Sequence, residues 1–380
     1  MATCREYAEA HAWYGATPVG WRQDIGPRAT EEGDVNISPV AAGVIGTTSW
    51  GTTLAIIMAR QGHSVTLWTR TSEEARQLQR DRENKRLLPG FPFPPSLQVS
   101  SSKDDAFGHA RLVILAVPSN SARSNVRRVR DALPHDALVV SATKGLEVNT
   151  GLRISQVVRE ELPESLHSRI CVLSGPNLSA EVARGLPSST VVASKDAKAA
   201  LEAQEALMTP LFRVYTSADV IGVELAGALK NIIALGAGIG DGLGYGNNSK
   251  AAFITRGLAE ITRLGVAAGA NPLTFAGLAG MGDLIATAAS PLSRNRYVGE
   301  QLAKGRPLKE ILASMQNVAE GVDTTAAAVK MAQELGVEMP ITQAAYRILF
   351  EGLDPRQAVA ELMGRAPQPE WVGVPPHTPT

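Results

Sequence analysis

The chain has 380 residues, 44% of them hydrophobic and 19% charged, the composition of an ordinary globular protein long enough for two or three domains. Lysine plus arginine and aspartate plus glutamate both total 37, so the basic excess of a nucleic-acid binder is absent. The two cysteines, Cys4 and Cys171, form no CxxC pair, which argues against a zinc ribbon or a disulfide framework and fits a reduced, cytoplasmic setting. Residues 1–37 show no apolar period and no apolar stretch of a secretory signal, and are expected to be an N-terminal extension. Residues 40–45 are then an apolar run ending in Gly46, and residues 49–61 carry Leu54, Ile57 and Met58 at helical spacing before Gly62. Strands follow at 64–68, 97–101, 112–117, 137–143, 170–174, 189–194 and 213–216, with helical segments between several of them. Apolar strands alternating with helices predict an α/β domain over residues 38–217, doubly wound and of Rossmann type, with a largely parallel sheet.

After Thr216 the pattern changes. Helical segments at 219–237, 251–268, 272–279, 295–303, 308–315, 324–335 and 341–351, with no convincing strand, predict an all-α C-terminal domain over residues 218–365. The most apolar long region, 221–240, is interrupted by Glu224 and Lys230, so no integral membrane segment is expected. Residues 366–380 carry five prolines and read as a tail. A doubly wound domain followed by a helical one leaves a cleft between them, a common place for a ligand.

Gly46-Thr47-Thr48-Ser49-Trp50-Gly51 follows the first strand and opens the first helix, the context that a GxGxxG dinucleotide loop requires. Gly46 allows the tight turn, Gly51 lets helix and strand approach, and the helix N-terminus faces a pyrophosphate. Thr48 stands at the middle glycine. Its Cβ is expected to push the phosphate away or to require a shifted backbone, and its hydroxyl offers a donor to the phosphate. The second strand ends Leu67-Trp68-Thr69-Arg70, with no acid before Glu73. An acid there favours NAD and an arginine suits the 2′-phosphate of NADP, so Arg70 leans toward NADP or dual use. The competing reading is an ordinary surface arginine.

Three later stretches carry chemistry. Thr143-Lys144-Gly145 and Ser174-Gly175-Pro176-Asn177 each follow a strand, at the sheet edge that faces the cofactor crevice. Lys230 lies on the first helix of the second domain amid Leu229, Ile232, Ile233 and Leu235. Lysine is rarely fully buried unpaired, and desolvation would lower its pKa into a range useful for proton transfer. The alternative is a lysine whose stem packs on the helix while its head reaches water.

With these motifs in order, the chain resembles the bacterial NAD(P)-dependent sn-glycerol-3-phosphate dehydrogenase family from about residue 40 to residue 365. The resemblance rests on Ser49-Trp50-Gly51, Leu88-Pro89-Gly90, Ala116-Val117-Pro118-Ser119, Thr143-Lys144-Gly145 and Ser174-Gly175-Pro176. It continues through residues 224–231, Gly280-Met281-Gly282-Asp283-Leu284, Ser293-Arg294-Asn295-Arg296 and Ala319-Glu320-Gly321. It implies Lys230 as the catalytic lysine acting on the substrate's C2 oxygen, and Lys144 as a lysine touching both cofactor and substrate. Asp283, Thr287, Ser293, Arg294 and Asn295 match substrate-site positions, as do Gly175 and Asn177. Gly46, Thr48, Ser49, Trp50, Gly51, Arg70, Ser179, Val318 and Glu320 fall at cofactor positions, with Arg294 there as well. Two positions depart from the family pattern: Thr48, and Ser179 where an alanine is more usual. The residues agree physically. Asp283 and Thr287 share a face if 282–288 is helical, so that Asp283 could hold the Lys230 ammonium. Arg294 suits the substrate phosphate, and Asn295 adds a neutral donor.

The expected reaction is hydride transfer between NADP or NAD and C2 of glycerol 3-phosphate or dihydroxyacetone phosphate, with no metal. The resemblance also implies a homodimer and a supply of glycerol 3-phosphate for phospholipid synthesis, while the balanced charge speaks against a nucleic-acid partner. Two other readings stay open: a different two-domain NADP-dependent hydroxy-acid reductase, and a non-catalytic dinucleotide sensor.

Overall fold

The computed structural model describes residues 39–315, 318–367 and 369–370. The expected extension at 1–37 and most of the tail at 366–380 lie outside those residues. β1 (Ala41–Ile45), α1 (Ser49–Arg60), β2 (Ser64–Trp68) and α2 (Ser72–Asp81) come first. β3 (Leu97–Ser100), α3 (Lys103–Phe107), β4 (Leu112–Leu115), α4 (Ala122–Val129), β5 (Leu138–Ser141) and α5 (Ile154–Glu161) follow. β6 (Ile170–Ser174), α6 (Ser179–Arg184), β7 (Ser188–Ala193), α7 (Ala197–Leu207) and β8 (Phe212–Ser217) complete one eight-stranded sheet in the order β3-β2-β1-β4-β5-β6-β7-β8. β4 and β5 are buried at every position, which is why β4 reads as an unbroken apolar run and β5 is apolar up to Ser141: helices cover both faces of the sheet. Every strand pair is parallel except β6–β7, where Ser174 lies opposite Val191. That reversal brings the start of β7 to the sheet edge where β6 ends.

The chain reverses strand order between β1, β2 and β4, so the crevice opens beyond the carboxyl ends of β1 and β4. Gly46, Thr69, Ala116, Thr143 and Ser174 all leave the sheet at this edge.

Every later element among the described residues is helical: α8 (Val220–Gly242), α9 (Asn247–Ala267), α10 (Pro272–Ala276), α11 (Asp283–Ala289), α12 (Arg294–Ala303), α13 (Leu308–Ala313), α14 (Glu320–Leu335), α15 (Pro340–Phe350) and α16 (Pro355–Met363). α8 is long and apolar enough to cross a membrane, yet it is mostly buried inside the molecule. It packs against α9, α11, α12 and α14. Its approach to α12 is close because small residues meet backbone: a Cβ on Gly299 would stand 1.9 Å from the Leu235 carbonyl oxygen. This contact places Lys230 and Asn231 beside the start of α12. The helix expected at 272–279 stops at Ala276, and one π-helical turn (Leu278–Gly282) leads into α11. π turns tend to occur at functional sites, and this one delivers Asp283. α14 starts at Glu320 rather than at 324, and α16 carried no clear sequence signal.

Candidate active site

The first half of the site is a cleft of about 300 Å³ lined by residues from the ends of β1, β2 and β4 together with Arg294 and Val318. Gly46 has φ +114°, and a Cβ there would meet the Ala116 carbonyl oxygen at 2.5 Å. A Cβ on Gly51 would stand 2.1 Å from the Gly46 carbonyl oxygen. Both glycines are therefore required by close approach. Thr48 is not strained: it has φ −64° and ψ 165° and is the N-cap of α1. Its hydroxyl accepts from the Gly51 N–H at 3.0 Å and donates to the Ala116 carbonyl at 2.7 Å. The expectation of a hydroxyl offered to the phosphate is corrected by this bond, because the single hydroxyl proton is already engaged. The free N–H groups of the α1 first turn remain for an anion.

Gly46, Thr48, Arg70, Arg294 and Val318 all line the cleft. Trp50 does not line it. Its ring lies 6.3 Å from that of Phe212 and packs against the sheet core. Ser49 and Gly51 belong to the first turn of α1. Ser179 opens α6, and its carbonyl accepts from the Thr53 hydroxyl at 3.2 Å. Six lining residues, Glu74, Arg86, Leu87, Asn120, Ser121 and Asn125, belong to none of the sequence motifs, and three of them bear on a ligand. Arg86 precedes the Leu88-Pro89-Gly90 motif and adds a second cation on the side of Arg70. Glu74 supplies the acid missing from the end of β2, and accepts from the Thr47 hydroxyl at 2.6 Å. Asn120 adds a neutral amide. Glu74 leaves no signal in the motif because it reaches back from the first turn of α2, while the usual acid sits at the strand end.

The second half is a buried charge cluster where the sheet edge meets the helices. Lys230 Nζ donates to Asp283 Oδ1 at 2.8 Å and to the Thr287 hydroxyl. Lys144 Nζ donates to Asp283 Oδ2 at 2.7 Å and to the Gly175 carbonyl at 2.8 Å. Lys230 is 6% exposed and Asp283 2%, so the snorkelling alternative for Lys230 does not apply. Burial pushes the Lys230 ammonium down to about 8; Asp283 opposes that fall and Lys144 adds to it. Burial pushes the Asp283 carboxyl up, but Lys144 and Lys230 together hold it below the usual carboxylate range. The resemblance, together with the four-residue spacing of Asp283 and Thr287, led to the expectation that Asp283 holds Lys230, and the two are paired. It did not show that the same carboxylate also grips Lys144. An ammonium has three N–H donors. With two spent on each lysine, each keeps one for a substrate oxygen.

The start of α12 closes the cluster. Ser293 is its N-cap and accepts from the Arg296 N–H at 3.3 Å. The N–H groups of Arg294 and Asn295 are left without intrahelical partners. The Arg294 guanidinium donates to the Val318 carbonyl at 2.7 Å and stays open to the cleft. The Asn295 side chain departs from expectation. Its Nδ2 donates to Asn231 Oδ1 at 2.8 Å, and its Oδ1 accepts from the Gly321 N–H at 2.9 Å. That amide ties α12 to α8 and α14, so the donor that residue 295 offers a ligand is its backbone N–H. Asn177 donates to the Thr190 hydroxyl at 2.9 Å and keeps its Oδ1 buried with no partner. Glu320 accepts from the Ser119 N–H at 3.2 Å and from its hydroxyl, linking the helical part to the end of β4. Burial raises its carboxyl, and the Ser119 bonds oppose the rise.

Comparison with known proteins gives the family. Residues 41–200 match the family described as NAD-dependent glycerol-3-phosphate dehydrogenase N-terminus, and residues 219–360 match its C-terminus. A glycerol-3-phosphate dehydrogenase [NAD(P)+] of Dehalococcoides mccartyi is 50% identical over 331 residues, covering 87% of this chain and 92% of that one. One from Chlorobium limicola is 48% identical over 327 residues, covering 86% and 98%. The crystal structure of glycerol-3-phosphate dehydrogenase from Coxiella burnetii superposes with a TM-score of 0.82 at 37% identity, covering 86% of this chain and 99% of that one. This chain belongs to the NAD-dependent glycerol-3-phosphate dehydrogenase family.

Proposed function

We propose that the chain interconverts dihydroxyacetone phosphate and sn-glycerol 3-phosphate with NADPH or NADH, and that Lys230 exchanges the proton at the C2 oxygen. One observation carries this reading: a single buried carboxylate, Asp283, holds two ammonium groups, at 2.8 and 2.7 Å, each with one N–H unspent. The dinucleotide fits the first half of the site. Gly46 and Gly51 let the loop fold tightly against the Ala116 and Gly46 carbonyls, the first turn of α1 is free for a pyrophosphate, and Arg70, Arg86 and Glu74 offer charge of both signs around the ribose. When bound it supplies or removes the hydride at C2.

The chain's own residues do the rest. Arg294 and the free N–H groups at the start of α12 hold the phosphate, combining a planar fork with a helix N-terminus. Asn177 Oδ1 is an unused acceptor for a substrate hydroxyl. In reduction the Lys230 ammonium gives its proton to the C2 oxygen as negative charge develops there, and Lys144 stabilises the same charge from the sheet side. In oxidation the neutral Lys230 amine takes that proton back. Asp283 and Thr287 keep the Lys230 head in place throughout. The assay is the consumption of NADPH and of NADH with dihydroxyacetone phosphate. Turnover with both supports the reading, and no turnover with either overturns it. The family likeness also supports a cytoplasmic homodimer that supplies glycerol 3-phosphate for phospholipid synthesis. A monomeric mass in solution would overturn the dimer.

A further inference from the structure

Lys144 and Lys230 reach Asp283 from different parts of the fold. Lys144 stands on the loop after β5, and Lys230 on α8. Their shared geometry needs something that holds that loop to that helix. Glu224, six residues before Lys230 and about 9 Å along the axis of α8, has the contacts to do so. Its carboxylate accepts from the Ser155 N–H at 2.7 Å, from the Ser155 hydroxyl, and from the Arg153 guanidinium. The two charged side chains are largely shielded, 16% exposed for Arg153 and 7% for Glu224. Arg153 and Ser155 open α5, so the carboxylate caps a helix that belongs to the sheet domain while sitting on one that does not.

The path from this contact back to Lys144 is short and stiff. Arg153 pairs across a β-bridge with Leu146, and the Glu147 N–H donates to the Leu152 carbonyl at 2.9 Å. Leu146 is fully buried in the helical core, in one cluster with Val223 and Leu225, the neighbours of Glu224 on α8. Lys144 is two residues away. One turn nearer to Lys230, Gly227 lets the end of β6 come close: a Cβ there would stand 2.3 Å from the Ser174 hydroxyl and 3.9 Å from the Lys144 stem.

We infer that Glu224 is a positioning residue: it locks the Lys144 loop onto the Lys230 helix and so sets how the two amines share Asp283. It touches neither substrate nor cofactor. The inference rests on the proposed proton-transfer role of Lys230. If Lys230→Met turned over at the wild-type rate, that role itself would fall. A crippled Lys230→Met beside an unaffected Glu224→Gln would overturn only the positioning.

The test uses the full chain and two mild variants, because Glu224→Ala would strand the Arg153 guanidinium and risk misfolding. Glu224→Gln keeps the shape and one acceptor but loses the charge. Ser155→Ala removes one bond and keeps the ion pair. Each is assayed for dihydroxyacetone phosphate reduction across about pH 6–10, with the KM for NADPH and the thermal midpoint measured beside it. Misplacement of about 1 Å can lower a rate about a hundredfold. Glu224→Gln should therefore lower kcat about tenfold or more, leave the KM for NADPH within about twofold, and displace the basic limb of the pH profile by about half a unit. Ser155→Ala should move the same quantities in the same direction, by less. A plain helix cap would lower the thermal midpoint and leave kcat and the limb alone. That result in folded Glu224→Gln overturns the inference, as does a loss confined to the KM for NADPH. If Glu224→Gln does not fold, the same readouts on Ser155→Ala decide: an unchanged kcat and limb overturn the inference.

Discussion

Lys230→Met is the most direct perturbation of the site. Methionine is unbranched like lysine and fits the apolar sleeve of Leu229, Ile232 and Ile233, each fully buried on α8. Asp283 is not orphaned by the change, since Lys144 remains at 2.7 Å and the Thr287 hydroxyl at 3.3 Å. The loss of stability should therefore stay below the roughly 3–5 kcal/mol of breaking a buried pair outright. The catalytic loss should be larger than such a variant's folding defect suggests. General acid catalysis supplies about a hundredfold to ten-thousandfold, or about 2.7–5.4 kcal/mol at about 1.36 kcal/mol per decade. The pH dependence is the sharper signature. In reduction the ammonium is the donor, so kcat/KM should hold below pH about 8 and fall as pH rises through it. In oxidation the neutral amine is the base, so kcat/KM should rise through the same range and level off above it. Both limbs should be missing from Lys230→Met. The assay is the initial rate in each direction with saturating dinucleotide, with dinucleotide affinity measured separately by fluorescence. A folded Lys230→Met that kept more than about a tenth of wild-type kcat, or kept the limb near pH 8, would refute the assignment.

Three further outcomes are expected. Arg294→Ala should raise the KM for dihydroxyacetone phosphate about tenfold or more and leave turnover of phosphate-free dihydroxyacetone nearly unchanged; equal damage to both substrates would replace the phosphate anchor with a structural or cofactor role. Arg70→Asp should weaken NADPH at least about tenfold more than NADH, because it puts a second acid beside Glu74 where a 2′-phosphate would lie; equal effects on the two cofactors would sink this reading. Thr48→Gly should change dinucleotide affinity less than about tenfold, or about 1.4 kcal/mol. The same change should lower stability by about 1–2 kcal/mol, because it removes the bond to the Ala116 carbonyl and frees the unfolded backbone. A shift in affinity with no shift in thermal midpoint would contradict the Thr48 geometry.

Much of this fold was legible from the chain because buried parallel strands and amphipathic helices leave different periods. β1 and β4 read as unbroken apolar runs and β5 as one up to Ser141, and the switch to helical spacing after Thr216 marked the second architecture. The reversal of β7 was not legible. Antiparallel and parallel buried strands carry the same apolar run, and only hydrogen-bond direction separates them. The site was readable where a polar residue interrupted an apolar element, as Lys230 does, or where motif order pointed to it, as with Arg294. It was not readable where a side chain reaches across the fold. Glu74 serves the cleft from a neighbouring helix. The Asn295 amide, expected to face a ligand, turns inward to Asn231 and Gly321. Thr48 looked like a defect in the loop because the motif assigns its position to glycine, and the backbone there turns out to be extended and its hydroxyl to be a cap.

The burial of Lys230 in the most apolar helix of the chain has a chemical consequence. A lysine on the surface, with a pKa near about 10.4, is neutral in only about one molecule in a thousand at pH about 7.5. It would then be a poor base for the oxidising direction and a reluctant acid for the reducing one. Burial brings the value down to about 8, so the neutral amine is far more populated at the same pH than on a surface lysine, which on the proposed mechanism opens both directions. Desolvation alone would also favour emptying the site of charge, and Asp283 opposes that by pairing with the ammonium. The shared carboxylate restrains a second amine as well. Two lysines and one aspartate leave a net positive charge, which on the proposed mechanism faces the C2 oxygen as it becomes negative, while the carboxylate keeps the two cations from driving each other apart. The helix α8 is apolar because it is packed inside the molecule, and that same burial makes its lysine a moderate acid.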